Sequence, residues 1–162
     1  MRKFLYALLF SAAVGSAVAA EADAVYKTAP IDTVFGQGEI NPLSKYFTST
    51  SYLQELSDNS EVFNAPISNV TFEPCTRTYW HKHTGGQILL VVAGEGRFQF
   101  RNEKPIIIKK GDIVRIPPDV EHWHGGGLNS WMSHLSLMPN NPGNETIWLE
   151  PVSDEEYRAE VQ

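Results

Sequence analysis

The hydrophobic and polar positions of this chain fall into short β-prone runs separated by turn residues. Tyr46-Phe47-Thr48-Ser49-Thr50-Ser51-Tyr52-Leu53 is the first such run, and Asp58-Asn59-Ser60 breaks it. Ser68 to Phe72 is a second. Gln87 to Val92 is an apolar strand that Ala93-Gly94-Glu95-Gly96 is expected to close, and Arg97 to Arg101 then alternates polar and aromatic residues. Asn102-Glu103-Lys104-Pro105 turns the chain into Ile106–Lys109, Lys110-Gly111-Asp112 turns it into Ile113–Ile116, and Pro117-Pro118-Asp119 follows. Gly125-Gly126-Gly127 separates a His122 segment from a run over Trp131 to Met138. Short strands with turn signals every roughly 8–12 residues predict an all-β sandwich or barrel. Near the C-terminus Ser153-Asp154-Glu155-Glu156 has Ser at the N-cap and Glu three positions on, a capping box that predicts one short helix.

The first 20 residues stand outside this pattern. Arg2 and Lys3 precede an apolar run from Phe4 to Phe10, and Ala17-Val18-Ala19-Ala20 supplies small residues at a cleavage position. They read as a secretory signal peptide, which implies a periplasmic or secreted protein. Residues 21–45 mix Gly, Pro and polar residues with little periodicity and read as an extended arm, leaving 46–162 as one domain. The 162 residues suffice for one domain with a real core. Loss of the leader takes two positive charges and no negative ones from a formal net charge of −6, leaving −8. That balance argues against nucleic-acid binding and against attraction to anionic lipid after cleavage. Cys75 is the only cysteine, so an exported chain has no internal disulfide.

Candidate chemistry concentrates in two clusters, His81-Lys82-His83-Thr84-Gly85-Gly86-Gln87 and Glu121-His122-Trp123-His124, which hold four of the five histidines. On a strand, His-x-His points both imidazoles to one face, because side chains alternate with period two. Trp80 and Lys82 then take the opposite face from His81 and His83, and Trp123 the opposite face from His122 and His124. A third imidazole from a separate strand, with the carbonyl of Gln87, would complete a mononuclear metal site.

The framing of these clusters resembles the two motifs of the cupins, a double-stranded β-helix family. The first family motif is Gly, five residues, His-x-His, three or four residues, Glu, six residues, Gly. Here it reads Cys75, five residues, His81-Lys82-His83, three residues, Gln87, six residues, Gly94. The second is Gly, five residues, Pro-x-Gly, two residues, His, three residues, Asn. Here it reads Gly111, five residues, Pro117-Pro118-Asp119, two residues, His122, three residues, Gly126. The resemblance implies a jelly-roll-like barrel with the short helix at its end. It implies a metal set of His81, His83, Gln87 and His122. Cys75 and Asp119 replace motif glycines, Gly126 replaces the Asn, and Gln87 stands where a carboxylate is usual.

Trp80-His81-x-His83-x3-Gln87, His122-Trp123-His124-Gly125 and Ser133-His134-Leu135 further resemble a subgroup of small bacterial cupins. That subgroup includes manganese-dependent hydroxynitrile lyases and carboxymuconolactone-decarboxylase-like proteins. By motif position, His124 and His134 would be pocket histidines free for proton transfer, and Thr78 would offer a pocket hydroxyl. Met138 stands where the subgroup has a polar residue.

A neutral Gln among three imidazoles leaves a divalent ion its full charge, which makes it a stronger Lewis acid. Four protein ligands leave one or two positions open on a five- or six-coordinate ion, which suits manganese or iron first, nickel or cobalt next, and zinc less well. The expected activity is Lewis-acid and acid–base cleavage of a carbon–carbon bond in a small organic substrate. The alternatives are a metal-dependent dioxygenase and a non-catalytic cupin that binds a small ligand. A homodimer is expected, formed through the arm or the Tyr/Phe-rich strand at 46–53.

Overall fold

A computed structural model describes residues 31–58, 64–140 and 142–162, so the leader and the start of the arm lie outside the described residues. Ten strands precede one helix. They are β1 (Glu39–Ile40), β2 (Ser51–Ser57), β3 (Ile67–Phe72), β4 (His81–His83), β5 (Gln87–Phe100), β6 (Ile106–Lys109), β7 (Ile113–Ile116), β8 (His122–Gly126), β9 (Met132–Leu137) and β10 (Thr146–Trp148), and the helix is α1 (Asp154–Arg158). Every strand pair is antiparallel. One half of the curled sheet runs β1-β2-β3-β9-β5-β7 and the other runs β6-β5-β8-β4-β10. No helix among the described residues is long and apolar enough to cross a membrane.

β5 belongs to both halves. Gln87 to Leu90 pair with β7, Ile88 to Gly94 pair with β9, and Gly96 to Phe100 pair with β8. The turn expected at Ala93–Gly96 is therefore absent, and β5 is one strand of 14 residues. The register shifts between Val91 and Ala93, and Gly94 has φ +67°. A Cβ there would sit 2.0 Å from the Trp131 carbonyl oxygen. The glycine marks a bulge and a close backbone approach, which bend a strand where a turn residue would end it.

The first β-prone run also differs from expectation. Ser44–Tyr46 form a 3-10 turn, and the strand begins only at Ser51. Tyr46 instead stacks on Trp148 at 4.5 Å, and Phe47 sits in the core, so these aromatics serve packing and not a ladder. The arm returns to its own chain, with Glu39 and Ile40 paired to Leu53 and Tyr52. Cys75 and Asp119, which stand where the motifs carry glycine, have φ +63° and +62°. The left-handed backbone of those turns is thus kept without glycine.

Two hydrophobic clusters result. Phe72, Leu89, Val91, Phe98 and Met132 belong to the cluster inside the curled sheet. Trp80, Trp123, Val152 and Tyr157 form the second. It packs α1 against the outward face of β8. α1 begins with the predicted capping box, Ser153 with Glu156. Arg77 reaches the Val152 carbonyl at 2.8 Å and Asp154 at 2.7 Å, while the Tyr157 hydroxyl donates to the Gly126 carbonyl at 2.8 Å.

Candidate metal centre

Strand alternation builds the site. β4 turns His81 and His83 inward and Lys82 outward, where it pairs with Asp119 at 3.0 Å. β8 turns His122 and His124 inward and Trp123 outward, and the register sets His81 opposite His122. Gln87 opens β5, directly after the Gly85-Gly86 turn. The coordinating atoms of His81, His83 and His122 all lie within 4.8 Å of one another, and all three rings are buried. The Gln87 carbonyl oxygen lies 3.2 Å from His122 Nε2.

The outer hydrogen bonds define which nitrogen of each ring faces inward. His81 Nδ1 meets the Tyr79 carbonyl at 2.9 Å, and His122 Nδ1 meets the Val120 carbonyl at 2.9 Å. A carbonyl only accepts, so both Nδ1 atoms carry hydrogen and both Nε2 atoms present a lone pair. His83 Nδ1 lies 3.1 Å from the Thr146 hydroxyl, and its buried Nε2 has no hydrogen-bond partner. The Gln87 amide donates to the Ser136 hydroxyl at 2.8 Å, which turns its oxygen toward His122.

This donor set fits a cation. His122 Nε2 and the Gln87 oxygen are both acceptors in that arrangement, and two facing acceptors repel unless a positive charge lies between them. The orphaned His83 Nε2 needs the same partner. Burial, then the neighbouring His122 and His83, holds the His81 imidazole well below its ordinary range. Burial also pushes His83 down to about 4 and His122 down to about 3. The three rings are therefore neutral at neutral pH, the form a metal requires.

The other two histidines make a separate pair. His124 Nδ1 and His134 Nε2 are 3.2 Å apart, and His124 Nε2 is buried without a partner. Burial, with His134 as the next cause, keeps His124 well below its usual range, and burial pushes His134 to about 4. The Thr78 hydroxyl accepts the His124 backbone N–H at 3.2 Å.

All these groups except His122 line one cavity of about 160 Å³, whose apolar wall includes Leu43, Phe47, Leu53, Val70, Met138 and Trp148. Trp148 lies over His81 with ring centroids 4.8 Å apart. Sequence reasoning names seven site residues and misses Ser136, Thr146 and the aromatic wall. Ser136 shares a face with His134 two positions earlier on β9, so strand parity signals it. Thr146 has no such signal, because its place opposite His83 depends on the pairing of β10 with β4.

Residues 68–126 match the cupin domain. An (R)-mandelonitrile lyase of Granulicella tundricola is 37% identical over 113 residues, covering 70% of this chain and 86% of that protein. The chain belongs to the cupin family. A cupin-like protein of Thermotoga maritima, known from its crystal structure, is 40% identical, with a TM-score of 0.74 over 78% of this chain and 96% of that one. A DMSP lyase of Ruegeria pomeroyi is 16% identical, with a TM-score of 0.53 over 78% of this chain and 64% of that one, a similarity of fold alone. In this cupin the histidine triad comes from the two motif strands β4 and β8, and Gln87 from the first residue of β5.

Proposed function

We propose that this cupin is a metal-dependent carbon–carbon lyase acting on a small, single-ring α-hydroxynitrile or a similar hydroxy compound. The observation that carries the reading is the His124–His134 pair, whose unpartnered His124 Nε2 shares a cavity with the ligand set. The relative named (R)-mandelonitrile lyase supports the substrate class. Size agrees: a cavity of about 150 Å³ lined by apolar side chains accepts benzene, and this one is 160 Å³.

A divalent transition metal on His81, His83, Gln87 and His122, manganese or iron first, supplies a Lewis acid that stabilises negative charge growing on the substrate oxygen. His124, neutral at neutral pH, takes the substrate's hydroxyl proton at Nε2. The oxygen's electron pair forms the carbonyl as the bond to the nitrile carbon breaks, and cyanide leaves with that bonding pair. The proton then passes from His124 to cyanide, giving an aldehyde and hydrogen cyanide. His134, bonded to Nδ1, orients the ring and shares the positive charge while the proton is held. Phe47, Leu53, Val70 and Trp148 hold the ring and exclude water. Thr78 sets the position of the His124 backbone.

The reading includes export as a homodimer. The Arg2-Lys3 leader pattern supports export, and Val34, Ile40 and Leu43, left 72%, 54% and 42% exposed on the arm, support association.

The test is turnover of mandelonitrile by mature protein loaded with manganese or iron, beside elemental analysis. His124→Ala is expected to keep its metal and lose activity by about 10²- to 10⁴-fold. His81→Ala is expected to lose the metal. A full metal complement with no mandelonitrile cleavage overturns the lyase reading, and oxygen uptake in its place favours the dioxygenase.

A further inference from the structure

The four members of the ligand set are not held in the same way. His81 and His122 are fixed through Nδ1 by backbone carbonyls two residues before them in sequence, Tyr79 and Val120. Those anchors are local and independent of side-chain identity. His83 and Gln87 are held by hydroxyls from other strands, Thr146 on β10 and Ser136 on β9. Both hydroxyl residues line the cavity.

Gln87 most needs its anchor. An amide has two unlike ends, and only the carbonyl end can face a cation. When the oxygen turns inward, the NH₂ group turns outward into buried surroundings and requires an acceptor. Ser136 Oγ, at 2.8 Å, is that acceptor. Without it the outward N–H loses its partner, and the side chain loses the contact that holds its oxygen beside His122. Ser136 is the member of this network beyond the ligand set. Thr146 plays a parallel part for the His83 ring, holding Nδ1 so that Nε2 points into the site.

We propose that Ser136 and Thr146 are positioning residues for the metal set, with Ser136 holding the outer end of the Gln87 side chain and Thr146 holding the His83 ring. This rests on the metal reading of the site but not on the lyase reading.

The experiment measures manganese(II) affinity of the mature protein by titration calorimetry and chelator competition, with the electron paramagnetic resonance spectrum of the bound ion as a second readout. Ser136→Ala and Thr146→Val are each expected to weaken binding by about 10- to 100-fold, the range for lost partners of ligands. Ser136→Thr is expected to restore affinity. With Glu at position 87 the Ser136 hydroxyl can turn round and donate to the outer oxygen, so Ser136→Ala is expected to weaken binding there as well.

Wild-type binding with unchanged affinity and spectrum in Ser136→Ala overturns the inference. So does a loss in Ser136→Ala that Ser136→Thr fails to restore, the mark of a purely structural hole. A wild type that binds no manganese, iron, cobalt, nickel or zinc overturns the metal reading itself. Binding without lyase turnover overturns only the proposed activity.

Discussion

At the scale of single residues, Gln87 sets the character of the site. With three neutral imidazoles and an amide, the protein adds no negative charge to a bound ion. Gln87→Glu is expected to tighten manganese binding at least about tenfold while lowering the rate of mandelonitrile cleavage, since the carboxylate neutralises part of the ion's charge. Chelator competition and steady-state turnover check the two halves of that expectation. Tighter binding with faster turnover would contradict the Lewis-acid argument. The residues that meet at the site were largely legible in the sequence, because period-two alternation and motif spacing are local properties. His81, His83, Gln87, His122 and His124 converge as those patterns require, and His134 and Thr78 join them where the resemblance to small cupins placed them. Thr146 was not legible, because which strand lies beside β4 is decided by the whole chain.

At the scale of elements, β5 shows where punctuation misleads. Gly94 and Gly96 resemble a strand end, yet the strand continues through them because glycine serves close packing as well as turns. Two glycine substitutions separate these uses. Gly94→Ala is expected to cost about 3 kcal/mol or more, as its Cβ meets the Trp131 carbonyl at a positive φ. Gly111 has φ +98°, and a Cβ at that position would meet nothing within 4 Å, so Gly111→Ala is expected to cost only the backbone strain, about 1–2 kcal/mol. Urea denaturation of both variants gives the comparison, and equal losses would remove the packing role of Gly94. Strands β2, β3, β6, β7 and β9 and the C-terminal helix were readable from alternation, turn residues and the capping box, whereas β1 and β10 were not. The 3-10 turn at Ser44–Tyr46 was not, since it forms where Tyr46 stacks on Trp148, a residue about a hundred positions away in sequence.

At the scale of the whole molecule, five buried histidines make the metal-free protein sensitive to acid. Each has its folded-state pKa lowered, with burial as the main cause. The unfolded chain binds their protons near pH 6.5, whereas the folded chain holds His83 and His134 neutral down to about 4 and His122 to about 3. Between those limits the unfolded state carries more protons, so stability falls as pH falls. Each such histidine contributes about 1.4 kcal/mol per pH unit inside its window. The denaturation midpoint of the apoprotein is expected to drop steeply from pH 6.5 to 4, and the metal-bound protein, whose ligand rings must also stay neutral, is expected to start higher and to fall at least as steeply. A midpoint that is flat over this range would contradict the neutral assignment.

The inward histidines and outward tryptophans of β4 and β8 are two readings of one alignment. Sliding β8 by one residue would carry Trp123 into the cavity and put His122 and His124 beneath α1. Such a slip would also strip Trp123 from its contacts with Trp80 and Tyr157. A buried tryptophan covers about 150–250 Å² of surface, so the slip forfeits about 4–6 kcal/mol of burial before any ligand is lost. The oily seam on the back of the sheet therefore acts as an alignment pin for the polar chemistry on its front.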